Sequence, residues 1–115
     1  MRTIRKLIGT DENVWLYLDS RETWEEFVNM AFTEGFHFGE LPFEKWSFGY
    51  VISVHNNGDL RHLPLFIWCW SFSNKVKSFP RKIDFKRYIH FEDDYYSTVS
   101  GFTGRLIYSS ENNII

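Results

Sequence analysis

The chain has 115 residues, with 13 Lys and Arg against 15 Asp and Glu, and 12 Phe, 6 Tyr and 5 Trp make a fifth of it aromatic. That share of rings excludes a disordered polar tail, and the length excludes a second domain, so residues 1–115 are expected to form one domain. A net charge of −2 stands against a dedicated nucleic-acid binder, and the single Cys69 excludes an internal disulfide or a cysteine-based zinc site within one chain.

The N-terminal Met1-Arg2-Thr3-Ile4-Arg5-Lys6 is charged, and no apolar stretch long enough for a signal peptide follows before Asp11 and Glu12. Val14-Trp15-Leu16-Tyr17-Leu18 reads as a strand ending at Asp19-Ser20. A helix follows: Trp24, Phe27, Val28 and Ala31 recur at helical spacing with Phe32 extending the stripe, while Glu22, Glu25 and Glu26 occupy the polar face. Asp19 is the expected N-cap, accepting from the backbone N–H of Glu22, and Gly35 the expected left-handed stop with Phe36 folding back on the helix.

After an aromatic connection containing Pro42, residues 48–55 alternate and run into Asn56-Asn57-Gly58-Asp59, a hairpin signal. A two-residue Asn57-Gly58 loop pairs His55 with Leu60, Ser53 with His62 and Ile52 with Leu63. That register places Ile52, Val54, Leu63, Leu65 and Ile67 on the face beneath the helix, and His55 and His62 together on the other. The apolar run Leu63 to Trp70 is too short for the ~20 residues of a membrane span and reads as a buried strand. Arg81 to Phe91 reads as a further strand, kinked near Lys86-Arg87-Tyr88, and a last strand is expected over Phe102 to Tyr108. The expected architecture is α+β: a single helix packed on an antiparallel sheet of four to five strands, in the order β-α-β-β-β-(β).

The chemistry-bearing residues form no recognisable catalytic motif. His55 and His62 lack the third and fourth ligands of a zinc site. The pairs Glu25-Glu26 and Glu92-Asp93-Asp94 read as solvated charge, and Gly101-Phe102-Thr103-Gly104 lacks the Lys and the spacing of a phosphate loop. The expectation is therefore a protein that is not an enzyme, with no metal and no cofactor.

Charge is partitioned along the chain. From Asp11 to Lys45 nine acids oppose two bases, whereas from Lys75 to Arg87 six bases (Lys75, Lys77, Arg81, Lys82, Lys86 and Arg87) oppose Asp84. An acidic helix face with surplus aromatic rings, some of which must stay partly exposed, suits a protein interface; Glu22, Glu25, Glu26, Trp46 and Trp68 are the candidate partner-binding residues. Pairing of two copies is a second use of the same rings. The alternative is an accessory nucleic-acid-binding role for the six bases, interleaved with Phe79, Phe85 and Tyr88.

The strand, then Leu18-Asp19-Ser20-Arg21-Glu22-Thr23-Trp24-Glu25-Glu26-Phe27, then Glu34-Gly35-Phe36-His37-Phe38, then an Asn-Gly hairpin, resembles the layout of short phage and prophage accessory proteins. The resemblance covers the first half of the chain. It implies an accessory protein of a mobile element that binds and blocks a host or defence protein. The charged N-terminus without a signal-peptide stretch reads as cytoplasmic, the short apolar run as having no membrane partner, and the acidic surface equally suits a toxin-immunity-type inhibitor.

Overall fold

The computed structural model describes residues 2–73 and 80–90. Its elements run α1 (Ile4–Ile8), β1 (Asn13–Tyr17), α2 (Arg21–Thr33), a 3-10 turn (Phe43–Lys45), β2 (Val51–His55), β3 (Leu60–His62), α3 (Leu65–Ser73), β4 (Arg81–Asp84) and α4 (Phe85–Ile89). The four strands form one mixed sheet in the order β3-β2-β1-β4; β1 pairs antiparallel with β2 and parallel with β4. The fold is α+β. Several helices on a mixed sheet replace the expected single helix on an antiparallel one, and the expected strand over Phe102 to Tyr108 lies outside the described residues.

Helix α2 forms where its apolar stripe predicts. Ser20, one residue beyond the expected cap, accepts from the Thr23 backbone N–H at 3.2 Å, while Asp19 Oδ1 accepts from the Thr23 hydroxyl at 2.6 Å. At the other end Gly35 takes φ 87°, its N–H reaches Phe32 O, and the Phe36 N–H reaches Ala31 O. These are the two bonds of a Schellman stop, and Phe36 is buried as that motif requires. Trp24, Phe27, Val28 and Ala31 pack on Leu16, Ile52, Val54 and Ile83 of the sheet.

Helix α1 has only five residues, too few to show a period in the sequence or to persist alone. The Glu34 carboxylate holds its start, accepting from the backbone N–H groups of Ile4 (3.0 Å) and Arg5 (2.9 Å).

The hairpin corrects the expected register. Its loop has three residues: Gly58 takes φ 97° after Asn56-Asn57, and the pairs are Val54 with Leu60, Ser53 with Arg61 and Ile52 with His62. A shift of one residue carries every side chain of the second strand to the other face. His62 consequently lies on the α2 side and His55 on the opposite side, so the two cannot share a metal ion.

The run after Pro64 is the helix α3, not a strand. A continuous apolar segment of this length is compatible with either, and the Pro64 carbonyl starts the helix by accepting from the Ile67 N–H at 3.0 Å. The helix crosses the second face of the sheet, where Trp68 packs with Trp15 and Val51. The expected strand from Arg81 to Phe91 is likewise split, because Asp84 caps α4 through the Arg87 N–H at 3.0 Å. Arg87, out of phase for a strand, is an ordinary exposed position on that helix.

Gly49 fixes the approach of the preceding loop. A Cβ there would stand 2.4 Å from Nδ1 of His62, whose ring is stacked on Phe38 (5.0 Å) and near Trp24 (6.1 Å). Gly49→Ala is expected to cost about 1–3 kcal/mol in urea denaturation, and a His62→Ala background should remove most of that cost.

Candidate functional site

The connection between α2 and β2 builds an aromatic platform on the first face of the molecule. Gly39, at φ 53°, turns the chain so that Phe38 and Leu41 bridge, with Glu40 at the tip. Pro42 then leads into the 3-10 turn, whose three-residue repeat sets Phe43 and Trp46 above one another. Their ring centroids are 4.9 Å apart, Trp46 stands 4.9 Å from Phe38, and the Trp46 indole N–H donates to Leu41 O at 3.1 Å. Phe32, from the last turn of α2, closes the group at 4.6 Å from Phe43 and 6.2 Å from Trp46.

Phe32 is nevertheless 56% exposed, in contrast to the buried stripe it was expected to extend. At 100° per residue it sits about 90° from the centre of the Trp24-Phe27-Val28-Ala31 stripe, at the edge of the helix's contact with the sheet. The same geometry sorts the candidate acids. Glu25 is rotated only about 20° from Phe32, whereas Glu22 and Glu26 are rotated by about 80° and 120°. All three are exposed. Glu40 and Glu44, in the connection that carries the rings, are exposed beside the platform, whereas Glu25, though on the same side of α2, stands two turns along the axis from Phe32, and the other two acids of the helix face aside.

Trp46 belongs to the platform, and Trp68 does not. Trp68 is 4% exposed and lies across the sheet, next to Trp15. Trp15 is buried as well. The sequence singled out Trp46 but passed over Phe32, Leu41 and Phe43 as a group; the signal that joins them is the 3-10 spacing after Pro42.

The basic segment does not form one surface. Lys75 and Lys77 lie outside the described residues. Arg81 is engaged internally: Nε donates to Asp11 Oδ2 at 2.7 Å and Nη2 to Leu7 O at 2.6 Å. Lys82 points to the opposite face of the sheet and is buried. Lys86 is 3.8 Å from Asp19, and Arg87 is exposed on α4.

Elsewhere, Ser53 Oγ lies 3.1 Å from His55 Nε2 and Asn13 Nδ2 donates to the same hydroxyl at 3.4 Å. Ser53 is buried, so this group braces β1 against β2 instead of presenting a nucleophile. Among the described residues no group of three or more His, Cys, Asp and Glu is placed to hold a metal ion, and no helix is long and apolar enough to cross a membrane.

His62 is exposed to solvent on one side, its ring flat against Phe38 on the other. Partial burial of the ring lowers its pKa from the ordinary 6.5. The unfolded chain therefore takes up the proton first as pH falls, so stability is full above about pH 6.5 and declines below it. His62→Phe is expected to flatten that decline in melting temperatures measured between pH 7.5 and 5, conditions bracketing the ordinary histidine range.

Compared with known proteins, the chain matches no family model, no curated protein and no solved structure. The class that the geometry defines is an α+β domain, helices on both faces of a four-stranded mixed sheet, carrying an acid-rimmed aromatic platform.

Proposed function

We propose that this protein is a binding module, not a catalyst, and that it docks a basic protein surface on the platform of Phe32, Leu41, Phe43 and Trp46. The observation that carries the reading is Phe32: a large ring more than half exposed, yet held on two sides by other rings whose positions are fixed by a turn and an indole hydrogen bond. A rigid aromatic centre loses little entropy on binding, which is the property of interface anchors. Glu40 and Glu44 beside it favour a partner carrying Arg or Lys beside an apolar side chain, because a cation gains from both the carboxylates and the ring faces. The biological role consistent with this chemistry is occlusion: a phage- or mobile-element-encoded inhibitor that covers a functional surface of a host or defence protein, or a toxin in the immunity-type variant.

The engagement of Arg81 and Lys82 within the fold disfavours the nucleic-acid alternative. The two readings separate experimentally. Immobilised protein should capture one stoichiometric partner from host cells, Phe32→Asp should weaken that capture at least about 30-fold, and Glu22→Lys with Glu26→Lys should change it far less than Glu40→Lys with Glu44→Lys. Salt-sensitive binding of single-stranded DNA or RNA at micromolar protein, abolished by Lys86→Glu with Arg87→Glu and untouched by Phe32→Asp, would overturn the proposal.

A further inference from the structure

Asn57 is the only one of the seven asparagines that precedes a glycine. A carboxamide in that position is prone to lose ammonia, because no Cβ on the next residue shields the backbone nitrogen that attacks it. Asn57 is exposed, and its Oδ1 accepts from the Asp59 N–H at 3.0 Å. Its Nδ2 has no hydrogen-bond partner among the described residues. Asn56 differs, since Gly9 O at 2.8 Å and Asp11 O at 3.0 Å hold its Nδ2.

We propose that Asn57 is a modification site, which converts without an enzyme to aspartate and isoaspartate at a rate set by opening of the hairpin turn. Solvent hydroxide removes the Gly58 amide proton, and that nitrogen attacks the side-chain carbonyl carbon of Asn57. A new C–N bond forms, the bond to Nδ2 breaks, and the departing nitrogen takes a proton from water and leaves as ammonia. The resulting succinimide ring adds one water. Opening at the side-chain carbonyl gives aspartate; opening at the backbone carbonyl gives isoaspartate, in which the main chain runs through Cβ. Neither step is a redox step.

The fold slows the first step. The Gly58 N–H donates to His55 O at 2.9 Å, and Gly58 is buried. With Gly58 at φ 97°, the loop is a type I turn followed by a left-handed residue. Ring closure needs the Asn57 Cβ and the Gly58 nitrogen eclipsed about the Cα–C bond, and a type I turn holds them apart. Attack therefore waits on opening of the turn, which costs less than unfolding the sheet.

The two products differ in what they do to their surroundings. Aspartate keeps an oxygen for the Asp59 N–H and leaves the main chain unaltered. Isoaspartate adds a methylene beside Gly58, whose carbonyl accepts from the His37 N–H at 2.9 Å, while His37 O accepts from the Leu60 N–H at 2.7 Å. Those two bonds fasten the start of the connection between α2 and β2 to the hairpin. Their loosening does not depend on that connection docking a partner.

The full chain, folded or unfolded in guanidinium chloride, is held at mildly alkaline pH, digested, and scored by peptide mass and by isoaspartyl methylation. Conversion in the folded protein is expected at Asn57 ahead of Asn13, Asn29 and Asn56, at least about 10-fold more slowly than in the unfolded chain. The isoaspartate form, separated by its added negative charge, should exchange the His37 and Leu60 amides faster than the unmodified protein does. Asn57→Asp, with the same charge and an ordinary main chain, should leave both amides protected. Equal rates in the folded and unfolded chains, earlier conversion of another of these asparagines, or no product at Asn57 over about 100 half-lives of the unfolded chain would overturn the proposal. So would an isoaspartate form whose His37 and Leu60 amides exchange as in Asn57→Asp.

Discussion

Truncating Trp24 to Ala is expected to destabilise the fold by about 3–5 kcal/mol, the range for removing a buried large aromatic side chain. The indole is the hub of the first face. It lies 6.1 Å from Phe27 on its own helix, 6.3 Å from Phe38 and 6.0 Å from Phe48 on the long connection, and 6.1 Å from His62 on the hairpin. Its loss leaves a cavity against three separate segments that cannot all collapse into it. At about 4–8 °C per kcal/mol for a domain of this size, the melting temperature should fall by well over 10 °C. Phe32→Ala, at an exposed position on the same helix, should cost no more than about 1 kcal/mol in the same denaturation experiment. A small effect of Trp24→Ala would show that the aromatic connection is not seated on α2 as described.

Lys82→Met is expected to change how stability depends on pH. Lys82 is 3% exposed, on the α3 side of the sheet with Nζ 5.7 Å from the centre of the Trp15 ring, and burial lowers its pKa from 10.5 to about 8. At pH 7 the ammonium remains charged in both states, and that depression corresponds to an upper bound of about 3 kcal/mol of burial cost. Between pH 8 and 10.5 the unfolded chain binds more protons than the folded one, so wild-type stability should rise with pH across that window. An apolar side chain of similar length removes the titrating group without emptying the space. Lys82→Met should therefore abolish the rise above pH 8. Urea denaturation at pH 7, 9 and 10 checks this. A rise of the same size in the variant would show that another group titrates in that window.

The elements that the sequence discloses are those whose determinants are local. The stripe of α2, its polar start at Asp19-Ser20 and its stop at Gly35 all lie within a few residues of one another. β1 stands out by its run of large side chains. The elements that escape it depend on distant partners. Helix α1 is held by Glu34, 30 residues away from Ile4. The hairpin register turns on whether Asn57-Gly58 or Asn56-Asn57-Gly58 forms the loop, a choice that also fixes which of His55 and His62 faces α2. The uncharged run after Pro64 has no polar residues to mark a period, so strand and helix fit it equally. For Ile83, Phe85 and Ile89, even spacing imitates a strand, and only the capping bond from Asp84 shows that the second half is helical. The candidate site was legible in part for the same reason. Trp46 stands out as a large ring beside charged residues, whereas the grouping of Phe32 with Phe43 requires the turn at Gly39 and the 3-10 geometry that follows Pro42.

The central claim is that the Phe32-Phe43-Trp46 platform is where this protein meets its partner. Hydrogen–deuterium exchange of the captured complex against the free protein tests it most directly. The account predicts protection concentrated between residues 29 and 46, with β4 and α4 unchanged. Protection confined to α4 or to the hairpin tip, with residues 29–46 exchanging as they do in the free protein, would contradict it.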